Sequence, residues 1–221
     1  MRAEVLNALS RDVVRMTAAA LGALLIATVA AVYFAGGPSG QAPANPGLGQ
    51  AILGGVVAYM VGAGLIGGQW RFGVIRNQLV WHPNRVQLAL VKILVSAAIG
   101  GAMGLLVNSL WIVVLVQSGR FAQLGQVFVY LLLAGWAGGM GASIALAGHS
   151  SSAALVVLLA LPFAEGLLNP EASPFFPVGG FIALSLSGIN RASLGSALAL
   201  AATLLITAVV ATGLFRRGDV A

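Results

Sequence analysis

The feature that most constrains this chain is a series of long apolar runs separated by short polar segments. Several runs exceed the roughly 20 apolar residues that a helix needs to cross a bilayer. Hydrophobic residues make up 59 % of the chain and charged residues only 7 %, whereas soluble proteins carry about 25 % charged residues. These runs and this composition exclude a soluble globular protein and predict an all-α integral membrane protein.

The 221 residues are predicted to form a single transmembrane domain with six spans. The predicted spans are residues 16–36, 49–68, 86–116, 124–147, 153–168 and 192–215. Residues 37–46 are uncharged and rich in turn-forming residues, which indicates an exterior loop. Residues 3–15 carry apolar side chains at helical spacing and charged side chains between them. This pattern predicts a helix lying in the membrane interface. The alternative for that segment is a frayed, positively charged N-terminus.

Residues 174–190 decide the topology. This segment is uncharged and largely apolar, but it contains Pro177 and the pair Gly179-Gly180. If it enters the membrane and returns on the same side, nine of the eleven basic residues lie inside, which is the distribution that the positive-inside rule favours. A non-helical break at membrane depth must be buried in protein or line a wet cavity. We therefore predict a re-entrant extracellular hairpin here and both termini in the cytoplasm.

Residues 69–92 lie between two apolar runs and hold four of the eleven basic residues and no acid, which places them on the cytoplasmic side. Residues 71–82 are predicted to form a short amphipathic helix, with Phe72, Ile75 and Leu79 on one face. Pro83 ends this helix, and Lys92 is expected to extend to the inner headgroups. The position of a short helix at the membrane surface favours binding by another protein over catalysis.

The sequence lacks the usual signatures of catalysis. There is no cysteine, which excludes disulfides and thiolate chemistry, and no Gly-x-x-x-x-Gly-Lys-Ser/Thr nucleotide-binding loop. His82 and His149 have no carboxylate at ligand spacing, so no metal site is predicted. The serines at positions 150–152 lack a paired base and predict a turn and a helix cap. The net charge of +6 is spread between apolar runs and builds no basic domain, so no nucleic-acid partner is expected.

A few polar or bulky residues inside the spans are candidates for a pathway. Glu165 lies near the outer end of the fifth span, where an acid costs a few kcal/mol unless it is solvated or paired. A structural role, solvated or paired with Arg191 or Arg120, is the alternative. Asn108 and its neighbouring serine are expected to bond an adjacent helix, and Trp136 either lines a path or fills space beside glycines.

Residues 69–92 also resemble the loop between the second and third spans of ABC-2-type permeases, the membrane subunits of ATP-driven exporters. The pattern of that family is an acid, three residues, Gly-Thr, a hydrophobic run, Pro, a basic residue, then an apolar run and Lys. The matching positions are Gly73, Pro83, Arg85 and Lys92, while Gln69 stands where the acid is usual and Val74 where Thr is usual. Two arginines at 216–217 before Asp219-Val220 resemble the common family ending, here with Gly218 inserted.

The resemblance implies roles for several segments. Residues 71–82 would be the coupling helix that docks into a groove of the ATPase subunit, residues 3–15 an elbow helix, and residues 174–190 the extracellular half-helices between spans five and six. The implied coupling residues are Arg71, Phe72, Gly73, Ile75, Arg76, Leu79, Pro83 and Arg85. The candidates for the outer gate or pathway are Glu165, Asn108, Trp136 and Pro177.

The expected function is that of a non-catalytic permease subunit in the bacterial cytoplasmic membrane. Two copies, or this chain with a related permease, would form the pathway, and two copies of a separate ATPase holding Mg-ATP would drive it. Glycines and bulky apolar side chains dominate the spans, so a hydrophobic or amphipathic substrate is expected: a drug, antibiotic, peptide or lipid. The alternative is a non-ABC carrier or membrane scaffold; a carrier predicts internal repeats, and none is clear.

Overall fold

The computed structural model describes residues 46–81, 84–117, 124–167, 173–187, 191 and 193–217. This part of the chain folds into seven α-helices and one 3-10 turn, Ser173–Phe175. The helices are α1 (Pro46–Arg71), α2 (Val74–Trp81), α3 (Arg85–Gln117), α4 (Leu124–Ala147), α5 (Ser151–Gly166), α6 (Pro177–Ser187) and α7 (Leu194–Arg217). The predicted elbow and first span, together with His82, Pro83 and Arg120, lie outside the described residues.

Four of these helices are long and apolar enough to cross a membrane: α1, α3, α4 and α7. They contain 26, 33, 24 and 24 residues. At 1.5 Å per residue they are about 36–50 Å long, which exceeds the hydrocarbon thickness of about 30 Å. An all-helical fold with four such helices fits a membrane protein, and these helices cover the second, third, fourth and sixth predicted spans.

The region of the fifth predicted span and the predicted hairpin differs from the expectation in its details. Helix α5 has 16 residues and α6 has 11, so they measure about 24 Å and about 16 Å. Pro177 is the first residue of α6, and Gly179 and Gly180 lie inside this helix. The predicted non-helical break at these positions is therefore wrong, because proline at the first helical position sacrifices no intrahelical hydrogen bond.

Glycines let the backbones of α1, α3 and α4 approach one another closely. A side-chain carbon at position 100 of α3 would lie 2.8 Å from the carbonyl oxygen of Ala134 and 3.1 Å from the Cα of Gly138, both in α4. Small residues at such crossings are typical of helices that pack within membranes. The result is a tight three-helix core, against which α5 packs on α1 and α4, and α7 packs on α3 and α4.

The turn before α5 follows the sequence prediction. The hydroxyl oxygen of Ser150 accepts a hydrogen bond from the backbone N–H of Ser152 at 3.0 Å. Ser150 is therefore the N-cap of α5, and the helix cap predicted at positions 150–152 is confirmed.

Candidate functional site

The bundle has two ends with different chemistry. We call the end where α1 and α7 finish and α3 begins the basic end, and the end where α5 finishes and α6 begins the Glu165 end. At the basic end, α1 stops at Arg71 and Gly73 has a φ of 67°, a left-handed conformation in which glycine commonly ends helices. The N–H of Asn77 then bonds the carbonyl oxygen of Gly73 at 3.2 Å and begins α2. The single helix predicted for residues 71–82 is thus divided by a turn.

The predicted coupling face is also divided. Ile75 has no exposed surface and belongs to the hydrophobic core of the chain, and Leu79 packs against the same core. Phe72 lies in the turn and is 61 % exposed, because it is outside the helical register that would place it beside the other two. The prediction of one face shared by Phe72, Ile75 and Leu79 is therefore wrong.

The most exposed apolar side chains at the basic end are a different set. Trp81 is 81 % exposed and Val80 is 79 % exposed, both in the last turn of α2, and Phe72 is the third member. Arg71 stands beside Phe72, with its guanidinium 5.9 Å from the centre of the Phe72 ring, close enough for a cation–π contact. We call these four residues the exposed patch.

Other polar residues of the basic end join two helices, cap a helix or lie within α2. The guanidinium of Arg85 donates a hydrogen bond to the carbonyl oxygen of Arg216 at 3.4 Å, so a cation meets the C-terminal turn of α7, where the helix dipole favours positive charge. Asn84 precedes α3, and its side-chain oxygen accepts from the N–H of Gln87 at 3.1 Å. The backbone of Arg76 lies within α2.

Lys92 does not extend to the headgroups as expected. Its side chain is 3 % exposed, and its ammonium donates a hydrogen bond to the side-chain oxygen of Gln69. This contact links α3 to α1. The two positions that carry an acid and a lysine in the ABC-2 pattern therefore meet in space, here as an amide and an ammonium.

At the Glu165 end, one carboxylate holds the start of a helix. Glu165 is 8 % exposed. One of its oxygens accepts from the N–H of Val178 at 2.8 Å and the other from the N–H of Gly179 at 2.9 Å. The first N–H groups of a helix have no intrahelical partner, and the helix dipole favours an anion at this position. The carboxylate at the end of α5 thus fixes the N-terminus of α6.

Within the described residues, this arrangement differs from the solvated or arginine-paired acid considered from the sequence, while Arg120 lies outside those residues. Glu165 is buried rather than solvated, and its partners within the described chain are backbone amides rather than an arginine. Arg191 is exposed. Glu165 and Val178 are 13 residues apart, and no periodicity connects them, so sequence patterns give no signal for the contact. The only hint is an acid followed by an uncharged segment in which Pro177 can begin a helix.

Beside this contact lies an apolar groove of about 320 Å³ between α1, α4, α5 and α6. Its wall includes Val56, Tyr59, Trp136, Leu158, Leu161 and Phe181, and Pro177 and Val178 bring it up to the Glu165 contact. Gly55 makes room for one wall, because a side-chain carbon there would lie 2.6 Å from the Phe181 ring. The structure therefore brings three of the four predicted gate or pathway residues to one region: Trp136, Pro177 and Glu165.

The fourth predicted pathway residue lies elsewhere. Asn108 is fully buried, and its side-chain amide donates to the carbonyl oxygen of Gly104 in its own helix at 2.8 Å. The hydroxyl of Ser109 likewise bonds Leu106 of its own helix at 2.7 Å. Among the residues described, neither side chain makes the hydrogen bond to a neighbouring helix that the sequence predicted, because both reach a carbonyl one turn earlier.

The fold and these contacts define an all-helical protein with membrane-length helices, an exposed patch at one end and an apolar groove beside a capped short helix towards the other. No protein-family model matches the chain, and no curated protein matches it either.

Proposed function

We propose that this chain is the permease subunit of an ABC-2-type exporter that moves a hydrophobic or amphipathic substrate outward. The observation that carries the proposal is α2, a short helix between two membrane-length helices that exposes Val80 and Trp81 in its last turn and follows a turn in which Phe72 is exposed. Apolar side chains on a short helix, flanked by cations, suit a hydrophobic groove with an acidic rim on a partner protein. In this proposal the partner is an ATPase that binds Mg-ATP.

The contacts of the motif positions support the same proposal. Gly73 provides the turn that separates α2 from α1, Arg85 joins α3 to α7, and Lys92 joins α3 to α1. Because α2 packs on α1, a movement imposed on α2 would reach α1 first, and then α3 and α7 through the contacts of Lys92 and Arg85. Gln69 stands where the family pattern has an acid, but its side-chain oxygen still accepts a hydrogen bond from Lys92. The amide can therefore replace the acid in this contact.

The proposed assembly contains two permease chains, identical or related, and two ATPase copies in a bacterial cytoplasmic membrane. We infer six spans with an elbow helix, both termini in the cytoplasm, and α6 as a half-helix on the outer side. This topology places the basic end inside, as the positive-inside rule favours. Single cysteines introduced at Ala3 and Val220 should be shielded from an impermeant external reagent in intact cells, and labelling of either would contradict the topology.

We assign Glu165 to the outer gate of the proposed exporter. Its carboxylate holds α6 beside the groove, so a change in that contact would alter the outer side of the pathway. The variant Glu165→Gln should copurify with the ATPase normally while export changes. Normal export in this variant would assign Glu165 a purely structural role.

The test of the proposal is ATPase binding to the detergent-solubilised chain. Buried aromatic anchors dominate many interfaces, so Phe72→Ala and Trp81→Ala should each weaken ATPase binding by about 2 kcal/mol, or roughly thirtyfold. Leu94→Ala is the matched control, because Leu94 is an apolar side chain of α3 that is 67 % exposed and lies outside the exposed patch. It should leave the affinity unchanged.

Two outcomes would overturn the proposal. If Phe72→Ala and Trp81→Ala bind the ATPase like the parent chain, the coupling role of the exposed patch is wrong. If no ATPase copurifies with the tagged chain from its own membranes, a non-ABC carrier or a membrane scaffold replaces the exporter as the proposed function.

A further inference from the structure

We propose that the groove between α1, α4, α5 and α6 binds one acyl chain of a bilayer phospholipid. The inference does not depend on the exporter function, because it follows from the lining of the groove and from where the groove lies along the helices. Four observations support it: the state of its polar groups, its depth, its mouth and its size.

The hydrogen-bonding side chains of the lining are already bonded within the chain. The hydroxyl of Tyr59 donates to the carbonyl oxygen of Ala154 at 2.8 Å, and the indole N–H of Trp136 donates to the carbonyl oxygen of Leu200 at 2.8 Å. The carboxylate of Glu165, beside the groove, accepts from the N–H groups of α6. A ligand with hydrogen-bonding groups would lose its water bonds without replacement, which costs about 1–3 kcal/mol for each group. The groove therefore suits plain hydrocarbon.

The depth of the groove fits the hydrocarbon layer. Its lining includes Trp136 near the middle of α4 and Leu158 near the middle of α5. The central part of a membrane-length helix lies among the acyl chains, since the hydrocarbon layer is about 30 Å thick. The part of the groove beside Trp136 is therefore at the depth of the acyl chains rather than of the headgroups.

The mouth of the groove is continuous with an apolar outer surface. Leu159 belongs to the lining and is 68 % exposed, and Phe163, one turn further along α5, is 76 % exposed. On a helix that faces lipid, such side chains contact acyl chains directly. None of the fifteen lining residues is charged. A phospholipid chain can thus enter the groove without passing a charged side chain of the lining.

The size favours a single chain over a whole lipid. The volume of about 320 Å³ is near the lower limit of ligand pockets, which span about 300–1,000 Å³. No lining residue offers a charge for a phosphate or an ammonium group, so the headgroup stays outside. The bound chain would pack against Phe181 and Ile182 and so add apolar contacts to α6.

Photolabelling tests the proposal in the full-length chain reconstituted in phosphatidylcholine bilayers. The probe is phosphatidylcholine with a diazirine near the end of one acyl chain, and adducts are located by mass spectrometry at residue resolution. We expect adducts on the lining of α1, α4 and α5. Phosphatidylcholine with the diazirine in its headgroup should leave those residues unlabelled.

Two matched substitutions separate the groove from the general lipid-facing surface. Val56→Phe adds bulk inside the groove and should lower the adducts on the α4 lining at least fivefold. Val156→Phe adds the same bulk on α5 at a side chain that is 65 % exposed and outside the lining, and it should leave them unchanged. Equal labelling of the α4 lining in the parent chain and in Val56→Phe would overturn the proposal. A parent chain in which the α4 lining is not labelled at all would also overturn it.

A second arm identifies any competing occupant. A photoreactive benzoylphenylalanine at position 159, at the mouth of the groove, should form adducts with phospholipid. Crosslinks to residues 16–36 of the same chain would mean that the chain fills its own groove. Crosslinks to a second copy would mean that the groove is a subunit interface. Either result in place of lipid adducts would overturn the proposal.

Discussion

The two ends of the bundle hold their helices in different ways. At the basic end, separate contacts join the helices: Lys92 meets Gln69, Arg85 meets the end of α7, and Ile75 anchors α2 in the core. At the Glu165 end, one carboxylate carries the hydrogen bonds to the start of α6. Loss of one contact at the basic end leaves others in place. Loss of the carboxylate leaves the packing of Phe181 and Leu184 in the core, but it removes the acceptors of the first N–H groups of α6.

The apolar surfaces differ in the same way. The exposed patch at the basic end belongs to the short helix α2 and to the chain just before it, while the groove near the Glu165 end is concave. A projecting patch suits insertion into a partner, and a concave surface suits a ligand. Four experiments test how the two ends of the bundle differ in their contacts and exposed side chains, beginning with the largest expected effect.

Ile75→Ala should cause the largest loss of stability at the basic end. Ile75 is fully buried, and truncation of a buried isoleucine to alanine costs about 2–5 kcal/mol. The free energy of unfolding of the detergent-solubilised chain measures the effect. Val80→Ala, in the same helix but 79 % exposed, is the control and should change stability by less than about 0.5 kcal/mol. Equal losses in both variants would show that α2 is not anchored through Ile75.

Glu165→Leu should release the start of α6. Two backbone N–H groups lose their acceptors, and each buried group left unsatisfied costs about 1–3 kcal/mol. A local loss of about 3 kcal/mol corresponds to amide hydrogen exchange at Val178 and Gly179 on the order of a hundredfold faster. Glu165→Gln keeps an acceptor oxygen and should show a smaller increase. Unchanged exchange in Glu165→Leu would mean that the contact does not hold α6.

The sequence predicted the long helices better than it predicted these contacts. Apolar runs determine where membrane-length helices form, so α1, α3, α4 and α7 lie within a few residues of the predicted spans. The coupling face was misjudged because Gly73 takes a left-handed conformation and removes Phe72 from the helical register of Ile75. The Glu165 contact joins a side chain to backbone amides 13 residues away, and composition and periodicity carry no information about such a pairing.

Gln69→Leu should destabilise the chain by about 2 kcal/mol, since a hydrogen bond to a charged group contributes about 1.5–3 kcal/mol. The leucine removes the oxygen that accepts from the ammonium of Lys92. Gln69→Glu keeps an acceptor and should retain the stability of the parent chain. The matched control is Gln87→Leu, because Gln87 is an exposed residue of α3. A loss in Gln87→Leu as large as that in Gln69→Leu would show that the hydrogen bond between Lys92 and Gln69 does not stabilise the basic end.

Trp81→Ala should have the smallest effect on the chain itself. Its side chain is 81 % exposed, so the free energy of unfolding should change by no more than about 0.5 kcal/mol. Trp136→Ala is the matched comparison: its indole donates to Leu200 and packs 6.2 Å from the ring of Phe181, so its loss should be about 3–5 kcal/mol. This contrast decides how the ATPase-binding test is interpreted. If Trp81→Ala also destabilises the free chain strongly, Trp81 packs within its own protein, and a weaker ATPase complex would report a damaged α2 rather than a lost contact.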